Sequence, residues 1–195
     1  MSRNVRNIAV FYATREGQTR RIAEYVATAL RQRGLAVDVQ DVGRGTPPDL
    51  DLARYCGAIV AASIHMGKHE REMVEFVKTY RNALERMPAV FLSVSLSQAA
   101  VEGSGATSPR KSRAAAEVEK TIERFLRTTR WRPSHAHPVA GALLYRQYGP
   151  GLRLLMRFIS KVVGASTDTS RDHEYTDWNA LSRFADEMAA DVAGR

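Results

Sequence analysis

The sequence predicts an α/β protein built on a doubly wound parallel sheet of five strands. Three observations predict it. Short apolar runs of strand length alternate with amphipathic patterns of helical spacing along the chain. The runs at 57–62 and 89–94 are apolar without alternation, as central parallel strands covered on both faces require. The first apolar run enters a helical pattern through a loop of hydroxyl residues and glycine at 13–19, a layout that cradles a phosphate.

Taken in order, residues 8–12 read as the first strand, and Ile22, Ala23, Val26, Ala27 and Leu30 mark one face of the first helix. Gly34 ends that helix, and 36–42 reads as a second strand with Val37 and Val39 on one side. A Gly/Pro loop covers 43–49. The third strand is 57–62. An amphipathic helix over 70–84 turns Met73, Val74, Val77, Tyr80 and Leu84 inward, and the fourth strand is 89–94. A small-residue loop at 97–108 leads to a charged helix over 109–127, with Pro109 suited to its first turn. The last strand reads as 139–144. Thr176 and Asp177 cap a final helix that runs to about Val192, with Leu181, Phe184, Ala185 and Met188 inward.

A chain of 195 residues suits one domain with a core of its own, carrying an insertion at 145–175. Hydrophobic content of 44% and charged content of 26% are those of a soluble globular protein. A single cysteine excludes an internal disulfide framework, so a reducing compartment is expected, with Cys56 a small core residue. The start carries no signal-peptide pattern, and no apolar run approaches the roughly 18–20 residues of a membrane span. A cytoplasmic protein is expected. The net charge of +8 points to an anionic partner. Arg124, Arg127, Arg130, Arg132, Arg146, Arg153, Arg157 and Lys161 fall in a stretch, 124–167, without one Asp or Glu.

In such sheets the ligand lies beyond the carboxyl ends of the strands, so the loops at 13–19, 63–69 and 95–105 should face one site. The first loop lacks the spaced glycines of a dinucleotide fingerprint and the Gly-Lys-Ser/Thr ending of a nucleoside-triphosphate loop. It also lacks the cysteine of a phosphatase loop. What remains resembles the flavodoxin pattern Ser/Thr-x-Thr-Gly-x-Thr, which binds the phosphate of FMN. Thr14, Gly17 and Thr19 match it, and Glu16 replaces the middle threonine. The plain alternative is an ordinary helix N-cap and turn.

The connection at 145–175 is far longer than the usual few residues. At about 100° per residue, Arg153, Arg157 and Lys161 share a narrow face with Ser160, and aliphatic and aromatic residues cover the rest of a helix over 152–163. A basic helix with so broad an apolar arc fits an interfacial membrane helix or a core helix with a solvated rim. Nucleic acid is not the expected partner, because the interleaved residues are aliphatic rather than stacking aromatics. No metal site is expected: His135 and His137 lack nearby acidic or thiol ligands.

Further motifs extend the likeness: Ala62-Ser63-Ile64, Trp131-Arg132-Pro133, Ala140-Gly141-Ala142-Leu143, Thr167-Asp168-Thr169 and Tyr175-Thr176-Asp177-Trp178. With the phosphate loop and the basic insertion, the chain resembles the flavodoxin-like, quinone-dependent protoporphyrinogen oxidases of bacterial haem synthesis over nearly its whole length. That resemblance implies strand order 2-1-3-4-5, non-covalent FMN, oxidation of protoporphyrinogen IX, a membrane quinone (menaquinone or ubiquinone) as acceptor, and peripheral attachment to the cytoplasmic face of the inner membrane. It assigns the phosphate to Thr14, Arg15, Glu16, Gly17, Gln18 and Thr19. The flavin ring falls to Ser63, Ile64, His65, Met66 and Gly67 with Ser93, Val94, Ser95 and Leu96. Arg153, Arg157 and Lys161 become candidates for lipid or propionate contact. His65 and Met66 stand where a ring-stacking aromatic is expected, and the 97–108 loop is small and neutral, two departures from the family pattern. Rival readings are an electron-carrier flavodoxin, normally acidic, and an NAD(P)H-dependent quinone reductase.

Overall fold

A computed structural model describes residues 7–102, 108–163 and 166–194. Strand β1 (Asn7–Ala13) lies between β2 (Ala36–Asp41) and β3 (Gly57–His65), all parallel. On the far side of β3 lie β5 (Ala89–Ser95) and then β6 (His135–Ala140), also parallel. Strand β4 (Lys68–His69) is a two-residue return that pairs antiparallel with the end of β3. Counting the five long strands alone, the order is 2-1-3-4-5, as expected.

Residue alternation along the strands divides the core in two. Ile8, Val10 and Tyr12 of β1 turn to one face, beneath α1 (Gln18–Gln32) and α6 (Trp178–Ala193). Ala9, Phe11 and Ala13 turn to the other, beneath α2 (Arg71–Leu84) and α4 (Ser108–Thr129). Phe91 stacks on Phe125 with centroids 4.3 Å apart, fixing α4 to the sheet. The expected inward residues of α6 are all buried, and Asp177 caps it by accepting from the Ala180 N–H at 2.9 Å. Thr176 is not part of the cap; its hydroxyl donates to the Ala140 carbonyl at 2.7 Å.

Two expectations fail here. The last strand begins at His135, not Val139, and stops at Ala140. It is the edge of the sheet, where polar residues and Pro138 are tolerated because one side needs no pairing. The apolar run at 139–144 is instead divided at Gly141, after which β7 (Ala142–Leu143) pairs antiparallel with β8 (His173–Glu174). The expected loop at 97–108 opens as a helix, α3 (Leu96–Glu102), with Gln98, Ala99 and Ala100 buried. Small residues suit a loop, but alanine is the best helix former and Ser95 Oγ accepts from the Gln98 N–H at 3.1 Å as a cap. The remainder of that loop, 103–107, lies outside the described residues. The insertion helix, α5 (Pro150–Val163), starts two residues earlier than expected.

Candidate functional site

The site is built at the carboxyl ends of β1, β3 and β5. Chain leaving β1 turns through Gly17, whose φ of +92° suits glycine and places it as the N-cap of α1. The first intrahelical bond runs from the Arg21 N–H to the Gly17 carbonyl, leaving the N–H groups of Gln18, Thr19 and Arg20 without helical acceptors. Among the described residues, no side chain caps this end. Thr14 Oγ1 accepts from the Gly17 N–H at 3.0 Å and braces the loop, so its own proton remains available to an anion. Thr19 is fully buried, and its hydroxyl has no hydrogen-bond partner among the described residues although it lines the adjoining cavity. A buried orphan donor beside uncapped helix N–H groups is a fit for a phosphate.

The cavity has a volume of about 290 Å³. Thr14, Arg15, Glu16, Gln18 and Thr19 form its floor, Ser63–Gly67 one wall, and Val94, Ser95, Leu96 and Ser97 another. Sequence reasoning thus brings the three expected loops together, with particular corrections. Ser93 is not in the wall: it is fully buried, and its Oγ lies 2.9 Å from His69 Nε2. The Gln18 side chain is also committed, donating to Glu174 Oε1 at 2.8 Å and Thr176 Oγ1 at 2.9 Å, so only its backbone faces an anion. Met66 and Gly67 make the two-residue turn between β3 and β4 with φ of +48° and +73°, which holds Met66 outward, 88% exposed.

Electrostatics tie the loops to one another. Glu70 is buried yet charged-paired: its Oε2 accepts from Arg15 Nε at 2.8 Å and its Oε1 from Ser63 Oγ at 3.0 Å. This carboxylate joins the loop after β1 to the loop after β3. His69 packs edge-on against the stacked Phe91 and Phe125 rings, and burial lowers its pKa to about 4, so it is neutral at physiological pH. Its ring thus serves as a packed strut between the sheet and α4.

The remaining walls come from residues that the sequence did not single out as site residues: Glu117, Val118 and Thr121 of α4, Gly141 and Ala142 after β6, and Met156 of α5. Only Gly141 and Ala142 had a signal, since they sit in one of the quoted motifs. The insertion thus closes the cavity. One of its cations is disposed differently than expected. Arg153 is turned back onto the protein, donating to the Tyr145 and Tyr148 carbonyls at 3.1 and 3.2 Å. Ser160 is buried and shares a hydrogen bond of 2.9 Å with Tyr145 Oη. Arg157 is exposed, as are Leu154 and Phe158 beside it. Among the described side chains of α5, Arg153, Met156 and Ser160 face the domain, while Leu154, Arg157 and Phe158 face outward. The side chain of Lys161 lies outside the described residues. No described helix is long and apolar enough to cross a membrane.

Comparison with known proteins agrees with this architecture. The flavodoxin domain, a flavin-binding domain, matches residues 9–170. A protoporphyrinogen IX dehydrogenase [quinone] of Escherichia coli K12 is 34% identical over 180 residues, 92% of this chain and 93% of that protein. A protein of the same name from Leishmania major is 32% identical over 93% of this chain and 74% of its own length. Among solved structures, a short-chain flavodoxin associated with a PDU bacterial microcompartment aligns with a TM-score of 0.57 at 12% identity. That alignment covers 96% of this chain and 99% of the flavodoxin, a likeness of fold. The chain is therefore an oxidoreductase of the flavodoxin fold and belongs to the family of quinone-dependent protoporphyrinogen IX dehydrogenases.

Proposed function

We propose that this protein binds FMN and oxidises protoporphyrinogen IX to protoporphyrin IX, with a membrane quinone as acceptor, in haem biosynthesis. The observation that carries the reading is the uncapped start of α1 with its orphan Thr19 hydroxyl, opening onto a cavity closed by the insertion. When bound, FMN supplies the redox chemistry, accepting hydrogen from the porphyrinogen and returning electrons to the quinone. The protein supplies position and charge. Thr14 and Thr19 hydroxyls, with the backbone N–H groups of Arg15, Glu16, Gln18 and Thr19, hold the phosphate. Ser63 to Gly67 border one edge of the ring and Val94 to Leu96 the other. Glu70 ties the phosphate loop to the 63–67 wall, setting the phosphate end against one edge of the ring. Glu117, Val118 and Thr121 of α4, with Met156, line the rest of the cavity, where the porphyrinogen would enter.

The reading treats 1–195 as one domain with an insertion at 145–175, peripheral to the cytoplasmic face of the inner membrane. Quinones reside in lipid, so an enzyme that delivers electrons to them needs a surface that enters the interface. Exposed Leu154 and Phe158, flanked by Arg157, support that role, as does the net charge of +8 toward anionic lipid and propionates. The test is turnover. Protein loaded with FMN should oxidise protoporphyrinogen, and faster when a quinone is supplied. No response to quinone, together with rapid flavin reduction by NADPH, would assign an NAD(P)H-dependent quinone reductase instead.

A further inference from the structure

The phosphate loop contains a residue that works against an anion. Glu16 stands where the flavodoxin pattern carries its middle threonine, and it lines the same cavity as Thr14 and Thr19. A carboxylate there repels a phosphate unless its charge is engaged elsewhere. Arg15, its neighbour, does not engage it through Nε, which is bound to Glu70. The group that does comes from 132 residues along the chain: Tyr148 Oη donates to Glu16 Oε2 at 2.9 Å.

Tyr148 is built for this task. It is 4% exposed and packs in a small cluster with Ala142, Leu143, Leu144 and Tyr145, beneath Met156. Its oxygen accepts from the Leu144 N–H at 3.3 Å, which aims the hydroxyl proton at Glu16. Burial and the neighbouring carboxylate both raise the phenol pKa, so the proton stays on Tyr148 through the physiological range.

We infer that Tyr148 is a positioning residue for the cofactor phosphate, its hydroxyl holding the Glu16 carboxylate off the anion that the loop receives. The inference rests on the FMN reading given above. It also makes the insertion part of the cofactor site: the segment at 145–148 fixes Glu16, while Glu174 and Thr176 at the other end fix Gln18. Both ends of the insertion grip the loop.

The experiment measures equilibrium binding of FMN and of riboflavin, which lacks the phosphate, to the full chain and its variants. Wild type binding FMN no better than riboflavin would remove the phosphate reading itself, whatever Tyr148 does. Given that preference, Tyr148→Phe keeps the ring and its packing but frees the carboxylate. FMN affinity should fall about tenfold, with riboflavin affinity within about twofold of wild type. Adding Glu16→Gln to Tyr148→Phe should restore FMN binding to within about threefold, since no charge is then left to hold. Equal losses for FMN and riboflavin, or no rescue in the double variant, would overturn the inference. Should Tyr148→Phe not fold, Glu16→Gln alone decides: the preference for FMN over riboflavin should hold or rise, and a fall would contradict the role given to Tyr148.

Discussion

Replacing Leu154 and Phe158 together by serine tests whether α5 meets lipid. The two side chains stand four residues apart and remain 69% and 66% exposed, so roughly two thirds of each is free to be buried by another phase. Full burial of a Leu or Phe side chain is worth about 1.5–3 kcal/mol, so each retains about 1–2 kcal/mol. Together they supply about 3 kcal/mol, or a factor of about one hundred in partitioning. Arg157, exposed beside them, adds about 1 kcal/mol through anionic headgroups, roughly fivefold. The assay is co-sedimentation with vesicles of phosphatidylglycerol and phosphatidylcholine at fixed salt, with bound flavin measured in the same samples. The double serine variant should lose about two orders of magnitude in partitioning while keeping its flavin. Arg157→Gln should lose less, and the loss should shrink as salt is raised. Unchanged partitioning in the serine variant would refute the argument and return α5 to the role of a cavity wall alone.

Two further outcomes follow from single side chains. Thr19→Ala removes the orphan hydroxyl and should weaken FMN binding about tenfold, with little effect on riboflavin, in the same titration. His69 is held neutral by burial with a pKa of about 4, against 6.5 for an unperturbed imidazole. The unfolded chain therefore binds more protons than the native one between these values, so stability falls as pH drops from 6.5 towards 4, by about 3 kcal/mol in total. Urea unfolding across that window should show the slope, and His69→Asn should flatten it. An unchanged slope in the variant would place the titrating group elsewhere.

How much of this was legible in the sequence depended on where each residue's partners lie. Strands β1, β3 and β5 announced themselves because burial on both faces demands uninterrupted apolar residues. Edge strand β6 did not, since His135, His137 and Pro138 obey no such demand, and the apolar run that followed served two different sheets. The loop proposed to hold the phosphate was legible because its features are local: Thr14, Gly17 and Thr19 fall within one turn. Glu70, Tyr148 and the α4 wall were not, as their roles arise from contacts made across the fold. Helical spacing identified α5 as amphipathic, but periodicity fixes the angle between faces and not which of them meets the domain. Ser160 inward and Phe158 outward could be read only from the packing.

The most direct test of the account is an anaerobic half-reaction on FMN-loaded protein. Protoporphyrinogen alone should bleach the flavin's visible absorbance while porphyrin fluorescence grows, and a quinone added afterwards should bring the colour back. Flavin that stays coloured in the presence of protoporphyrinogen, yet is bleached by NADPH, would contradict the account.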